Sequence, residues 1–187
     1  VDWPCDIPQA VKAALSSKGA LPRGCDAPAA TLLVHSEAAS EFMPAFSRAA
    51  QPYHIEYRGC PRTREYLSAA IPAVREDWAA ECCERILAIK VVDSIDEAIE
   101  HINTYGTGHS EAIVTLSAPS ARRFGREVDA AAVYINAVSR NADGGEFEPG
   151  AQAGFSARKF GFRGPVCLET LTTDKYLIEG VGQPTAK

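Results

Sequence analysis

The residue types best suited to chemistry in this chain lie in two glycine-bearing loop sequences. Cys25 follows Leu21-Pro22-Arg23-Gly24 and precedes Asp26-Ala27-Pro28, between a predicted helix and the apolar run Thr31-Leu32-Leu33-Val34. A thiol on a loop held between rigid elements can face a cleft and, once deprotonated, attack an electrophile. The competing role, and on position alone the commoner one, is that of a small buried hydrophobe. The second sequence, Ser139-Arg140-Asn141-Ala142-Asp143-Gly144-Gly145-Glu146-Phe147, comes just past a predicted strand ending at Asn136. Ligands of open α/β sheets bind at the carboxyl ends of strands. Paired glycines let backbone N–H groups approach an anion, and Arg140 can add a bidentate charge. A plain surface turn with a solvated arginine accounts for the same residues, since Asp-Gly pairs are ordinary turn formers.

Other groups carry weaker chemical signals. Arg163-Gly164-Pro165 offers a second cation, or simply a turn that starts a helix. His109, in Gly106-Thr107-Gly108-His109-Ser110-Glu111, could serve as a base for Cys25, although a lone histidine beside a strand is more often structural. His35, at the end of the first strand, is a lesser candidate. Glu81, before the vicinal pair Cys82-Cys83, reads by default as an exposed helix-end carboxylate, and no His/Cys spacing suits a metal site.

These groups must be positioned by alternating helices and strands. A helix is expected over Pro8–Lys18, with proline in its first turn and Gly19 beyond its end. A strand follows over Thr31–Val34, then a helix over Ser36–Ala50 with Phe42, Met43 and Phe46 on one face. His54–Tyr57 is a short strand and Arg62–Ala70 a helix that stops before Pro72. The run Arg85–Val92 is largely apolar and rich in the β-branched residues Ile86, Ile89, Val91 and Val92, the pattern of a strand buried on both faces. Ser94-Ile95-Asp96-Glu97 forms a capping box, and Ile95, Ala98, Ile99 and Ile102 recur at helical spacing. Strand Glu111–Leu116, helix Pro119–Val128 and strand Ala131–Asn136 complete two β-α-β units, so the fold class is α/β with a parallel sheet covered on both faces. Residues 137–167 show no period and read as a long loop that builds a site. The run Leu171–Ile178 is strand-like, and the chain then ends in polar sequence.

Composition narrows the function classes. The chain has 187 residues, 46% hydrophobic and 23% charged, enough for one main core with an appended piece. A net charge of −5 and a pI near 5.4 provide no basic surface for a nucleic acid, while leaving room for a small phosphorylated substrate. No apolar run reaches membrane-spanning length. Six scattered cysteines without a Cys-x-x-Cys pair, and no signal-peptide pattern, suit a reducing, cytoplasmic setting.

Several stretches, read together, resemble the γ-glutamyl phosphate reductases, also called glutamate-5-semialdehyde dehydrogenases, within the aldehyde dehydrogenase superfamily. They are Thr31-Leu32-Leu33-Val34-His35, Ile86 through Thr115 (ILAIKVVDSIDEAIEHINTYGTGHSEAIVT), and Glu127 through Asn136 (EVDAAAVYIN). Asp143-Gly144-Gly145-Glu146-Phe147, Arg163-Gly164-Pro165 and Leu171-Thr172-Thr173-Asp174-Lys175-Tyr176 extend the match along nearly the whole chain. The resemblance implies NADPH-dependent reduction of L-glutamyl 5-phosphate to L-glutamate 5-semialdehyde with release of phosphate, a step of proline biosynthesis. Pro22-Arg23-Gly24-Cys25-Asp26-Ala27 is similar to the family's Pro-x-x-Cys-Asn-Ala segment, which implies that Cys25 is the nucleophile and forms a thioester. Arg140, Gly144, Gly145 and Asn136 would bind substrate, and Glu81 matches a position near the nicotinamide ribose. No metal is implied.

The departures are specific. Asp26 stands where the family has asparagine, and a neighbouring carboxylate is expected to raise the thiol pKa. One extra residue separates Cys25 from the Thr31 strand. Val138-Ser139-Arg140-Asn141 replaces a Ser-Thr-Arg-Phe pattern, Gln152 a glutamate, Gly161 a histidine, and Cys82-Cys83 a Tyr-Leu pair. No Gly-x-Gly-x-x-Gly fingerprint occurs. The implied organisation is the end of a cofactor-binding region over 1–24, a catalytic domain over 25–166 and an oligomerisation arm over 167–187, with the main NADPH-binding domain missing from this chain. The expected partners are the small acyl phosphate and either further copies of the chain or a separate cofactor-binding chain. A non-catalytic relative, acting in assembly or regulation, is the alternative.

Overall fold

The computed structural model describes residues 1–18, 29–80, 85–137, 152–157, 161–167 and 169–172, together with 159, 175 and 177. In chain order the elements are α1 (Ile7–Lys18), β1 (Thr31–His35), α2 (Ser36–Ala50), β2 (Glu56–Gly59), α3 (Pro61–Tyr66), β3 (Ile71–Pro72), α4 (Arg75–Ala79) and β4 (Ile86–Val92). Next come α5 (Ile95–Tyr105), β5 (Ser110–Ile113), α6 (Ala118–Glu127), β6 (Ala132–Ile135), β7 (Gln152–Ser156) and β8 (Gly164–Cys167).

β1, β4, β2 and β3 form a parallel sheet in that order, and β5 and β6 pair in parallel beside it. β4 is central because it can be buried on both faces. Leu87, Ile89 and Val91 enter the main core, while Lys90 pairs with Glu97 of α5 at 2.9 Å on the other side. The main core gathers Val34, Phe42, Met43, Phe46, Leu87, Ile89 and Ala10, and a second core joins Ile99, Ile113, Phe124 and Val128 beneath α5 and α6.

The expected β4-α5-β5 pairing does not form. Residues 1–4 occupy the space between β1 and β5 instead. The Val1 nitrogen donates to Leu33 O at 2.8 Å, and His35 N donates to Val1 O at 2.9 Å. On the other side Asp2 N donates to Val114 O at 3.0 Å and Leu116 N to Pro4 O at 2.7 Å. Both sets of bonds step forward together along the two chains, so this strip runs parallel to its neighbours. The second expected unit, β5-α6-β6, forms as read.

Helix starts follow local chemistry. The Ser94 hydroxyl accepts from Glu97 N at 3.2 Å at the start of α5, and Ser117 accepts from Ser120 N at 3.3 Å at the start of α6. His35 Nδ1 accepts from Glu37 N at 3.2 Å and caps α2, so this histidine serves the helix. α3 is shorter than expected, ending at Tyr66, and its cap is a sulfur: Cys60 Sγ accepts from Thr63 N at 3.4 Å and Val91 N at 3.5 Å. Burial pushes the Cys60 thiol up, and the hydrogen bonds from Thr63, Val91 and Arg62 outweigh it, leaving the pKa below the ordinary value.

The long loop expected over 137–167 contains an antiparallel hairpin, β7 with β8. Its strands escaped the periodicity reading because glycines interrupt both and an irregular step separates Gln152 from Gly154. In the expected strand Leu171–Ile178, a 3₁₀ turn covers Glu169–Leu171, and most of the run beyond Thr172 lies outside the described residues.

The ring of Phe46 is fully buried and stacks on Phe42 at 5.5 Å. Phe46→Ala is expected to cost about 3–5 kcal/mol of folding free energy, read from the shift in urea denaturation midpoint.

Candidate functional site

Cys25 lies outside the described residues, but both ends of its loop are placed. α1 ends at the buried Lys18, the chain returns at Ala29, and Ala29 N donates to Ser17 O at 3.0 Å. That bond closes the base of the loop. Ala30 O then accepts from Ala88 N at 3.0 Å, starting the β1–β4 ladder. Glu81 is likewise outside the described residues, within 81–84, between α4 and β4. Arg85, at the far end of that segment, is held by Glu56 N on its carbonyl at 2.7 Å, while its guanidinium donates to Tyr53 O at 3.4 Å. Since β1 and β4 are parallel neighbours, the segments containing Cys25 and Glu81 both open at the amino-terminal edge of the sheet.

The other segment starts elsewhere. Arg140, Gly144 and Gly145 lie outside the described residues, and the chain enters their segment from the carboxy-terminal end of β6. By residue 163 it has reached the amino-terminal edge. There Arg163 donates to Asp129 Oδ1 at 3.2 Å and to Gly108 O at 3.4 Å, and Lys159 also pairs with Asp129. Asp129 and Gly108 precede β6 and β5 respectively, so the hairpin is clasped to the edge at which the Cys25 and Glu81 segments open. Arg163 immediately precedes strand β8 here rather than starting a helix.

Asn136 is the one expected substrate-binding residue among those described. It has φ of 54°, a left-handed conformation that asparagine tolerates better than most residues. Its side chain is engaged twice with Thr115: Oδ1 accepts from Thr115 N at 2.9 Å, and Nδ2 donates to Thr115 O at 3.0 Å. The amide thus continues the β5–β6 pairing past the last strand residue and sets the direction in which the chain leaves.

His109 lies in the turn before β5, with Nδ1 2.7 Å from Ser110 Oγ. Gly106 in this turn has no room for a side chain, because a Cβ would come within 2.6 Å of Ile102 O and 2.9 Å of Glu111 Oε1. Gly108 has φ of 74°.

Two titratable groups, the partly buried Glu111 and the buried His101, were not singled out in the sequence. Burial pushes the Glu111 carboxyl up to about 7. Its signal was the carboxylate at the head of the apolar strand, two residues before the buried Ile113 and therefore on the same face. His101 is 7% exposed and driven down to about 4, by burial first and by the Lys90 charge second. Its ring stands edge-on to Trp78 of α4 at 5.3 Å and 4.8 Å from Tyr105, and Nε2 has no hydrogen-bond partner among the described residues. Here the signal was spacing, since His101 and Tyr105 lie three and seven residues past Ala98 on one side of α5.

A parallel α/β sheet with helices packed on it is the architecture of the aldehyde dehydrogenase fold. A sequence profile of the aldehyde dehydrogenase family matches residues 69–164, and the chain belongs to that family. Within it, the chain is 48% identical over 183 residues to gamma-glutamyl phosphate reductase of Halothermothrix orenii, covering 98% of this chain and 44% of the relative. The protein of the same name from Dictyoglomus turgidum is 49% identical over the same shares. The chain thus spans less than half the length of these relatives. The crystal structure of gamma-glutamyl phosphate reductase from Thermotoga maritima superposes with a TM-score of 0.87 at 43% identity, over 99% of this chain and 44% of that one. An acetylating aldehyde dehydrogenase from Geobacillus thermoglucosidasius shares the fold, with a TM-score of 0.65 at 16% identity over 99% of this chain and 50% of that one.

The buried acid sets a pH dependence. Below the ordinary value of 4.5 both folded and unfolded chains hold the Glu111 proton; between there and about 7 the unfolded chain ionises first, so stability falls across that window and levels off above it. Glu111→Gln is expected to remove that slope and to stabilise the protein at pH 8 by up to about 3 kcal/mol. Denaturant titrations of both proteins at pH 4.5 and pH 8 measure it.

Proposed function

We propose that the chain is the catalytic part of a γ-glutamyl phosphate reductase, which reduces L-glutamyl 5-phosphate to L-glutamate 5-semialdehyde and releases phosphate. The observation that carries this reading is the close superposition on the Thermotoga maritima enzyme over nearly all of this chain, at an identity well above the fold-only range. The Cys25 thiolate attacks the acyl carbon, forming a C–S bond as the C–O bond to phosphate breaks. Reduction of the resulting thioester by a hydride equivalent and a proton gives a thiohemiacetal, whose C–S bond then breaks to release the aldehyde and restore the thiol. Backbone N–H groups that stabilise the oxyanion would serve both steps.

Arg140 and the Gly144 and Gly145 amides hold the phosphate or the carboxylate of the substrate, and Asn136 contributes by aiming their segment. The cofactor of this reading is NADPH, which supplies the hydride when bound. In this reading Glu81, whose segment leads into β4 beside the β1 strand that follows the Cys25 loop, accepts from the ribose hydroxyls. Most of the dinucleotide would be held by a region outside residues 1–187. In this reading residues 1–24 end that cofactor-binding region, 25–166 form the catalytic domain and 167–187 an arm that joins copies of the chain. The setting is cytoplasmic, and among the described residues no helix is long and apolar enough to cross a membrane.

The thiol is directly testable. Cys25 is expected to react with iodoacetamide at neutral pH faster than the other cysteines, followed residue by residue by mass spectrometry. Cys60, whose thiol is held low, is the natural competitor, and Cys60→Ser removes it. In a protein carrying both regions, Cys25→Ser should lower kcat for the acyl phosphate by at least about a thousandfold. A Cys25 thiol no more reactive than its neighbours, or an active Cys25→Ser variant, refutes the reading.

A further inference from the structure

Thr115 has every polar atom engaged. Its Oγ1 donates to Asp2 Oδ2 at 2.8 Å and accepts from Ser117 N at 2.9 Å. Its N donates to Asn136 Oδ1 at 2.9 Å, and its carbonyl accepts from Asn136 Nδ2 at 3.0 Å. Thr115 is 2% exposed and Asp2 8%, so the bond between them operates out of reach of water, where losing one partner strands the other.

Three segments meet on this side chain: the residues that lead into α1, the Ser117 cap of α6, and the exit of β6. α1 behaves as a rod. Ala10 is fully buried, and Ile7, Val11, Ala14 and Leu15 pack against the main core, over a length of about 18 Å. At its far end Ser17 O holds Ala29 N and closes the base of the loop that contains Cys25. Asp2 and the base of that loop are thus connected through residues 3–6 and the core-packed helix α1. On the other side, Asn136 hands the chain to the segment that follows β6.

We infer that Thr115 is a positioning residue for the reaction proposed above, its hydroxyl and backbone holding the helix that leads to Cys25 and the exit of β6 in one fixed relation. The inference rests on Cys25 being the nucleophile. Thr115 acts through α1 and Asn136 and does not itself touch substrate. Small misplacements of a reacting group are costly to rate, which makes such a hub visible in reactivity as well as in stability.

The test compares Thr115→Val, which keeps the shape and deletes the hydroxyl, with Thr115→Ser, which keeps the hydroxyl. Both are assayed as the whole chain, at a temperature where circular dichroism shows each fully folded, by the iodoacetamide rate of Cys25 at neutral pH. Thr115→Val is expected to change that rate by at least about fivefold, while Thr115→Ser stays within about twofold of the parent. If Thr115→Val does not fold, Asp2→Ala against Asp2→Asn makes the same comparison from the other end of the bond, since asparagine still accepts from the hydroxyl. A lowered melting temperature with an unchanged Cys25 rate in the hydroxyl-deleting variant overturns the inference and leaves a purely structural hub. Unselective Cys25 in the parent chain overturns the nucleophile assignment itself, so the two failures are separable.

Discussion

Residues 1–4 lie between β1 and β5 and hydrogen-bond to both, through Val1 with Leu33 and His35 on one side and through Asp2 and Pro4 with Val114 and Leu116 on the other. A backbone strip inserted between two strands must satisfy its polar groups on both edges, because buried N–H and C=O groups left unpaired cost as much as a lost bond. The insertion makes one parallel layer of the β1-β4-β2-β3 sheet and the β5-β6 pair. It also places Asp2 where the Thr115 hydroxyl can reach it across 113 residues of sequence. α1 follows this strip in the chain and is held by its own packing, with Ala10 fully buried in the main core.

The two edges of this layer divide the work. The segments that contain Cys25 and Glu81 open at the amino-terminal edge, on adjacent strands, while the segment with Arg140, Gly144 and Gly145 leaves from the carboxy-terminal edge. The Arg163–Asp129–Lys159 cluster and the Gly108 carbonyl bring the chain back. Exposed ion pairs of this sort contribute little to stability, so their value here lies in geometry. Glu111 points the same way: its neutral form is favoured by burial, and above pH 7 the fold carries that cost. A costly carboxyl next to a turn with no room for a side chain at Gly106 is the signature of a region shaped by more than packing.

Much of this was legible in the residue pattern. The length and β-branched character of Arg85–Val92 predict a strand buried on both faces, and β4 is that strand. The Ser94 cap, the Phe42/Met43/Phe46 face and the β5-α6-β6 unit also follow from local rules, since caps and amphipathic spacing act within a few residues. The β7–β8 hairpin was not legible, because its strands are defined by pairing with each other and not by alternation. Of the site, the candidate residues Cys25, Glu81 and Arg140 stood out by type and by family resemblance, while Thr115, Glu111 and His101 read as ordinary members of a strand or a helix.

Residue types, periodicity and motif resemblance by themselves determined the α/β class and the family and singled out Cys25 as a candidate nucleophile, because those properties reside in short stretches of sequence. Tertiary structure alone decided which strands are neighbours, that residues 1–4 lie between β1 and β5, so that β4 and β5 are not paired, and that Thr115 is the shared partner of Asp2 and Asn136. Those outcomes depend on contacts between residues far apart in the chain. No local propensity encodes them; they come from the requirement that buried backbone and side-chain polar groups find partners once the sheet has closed.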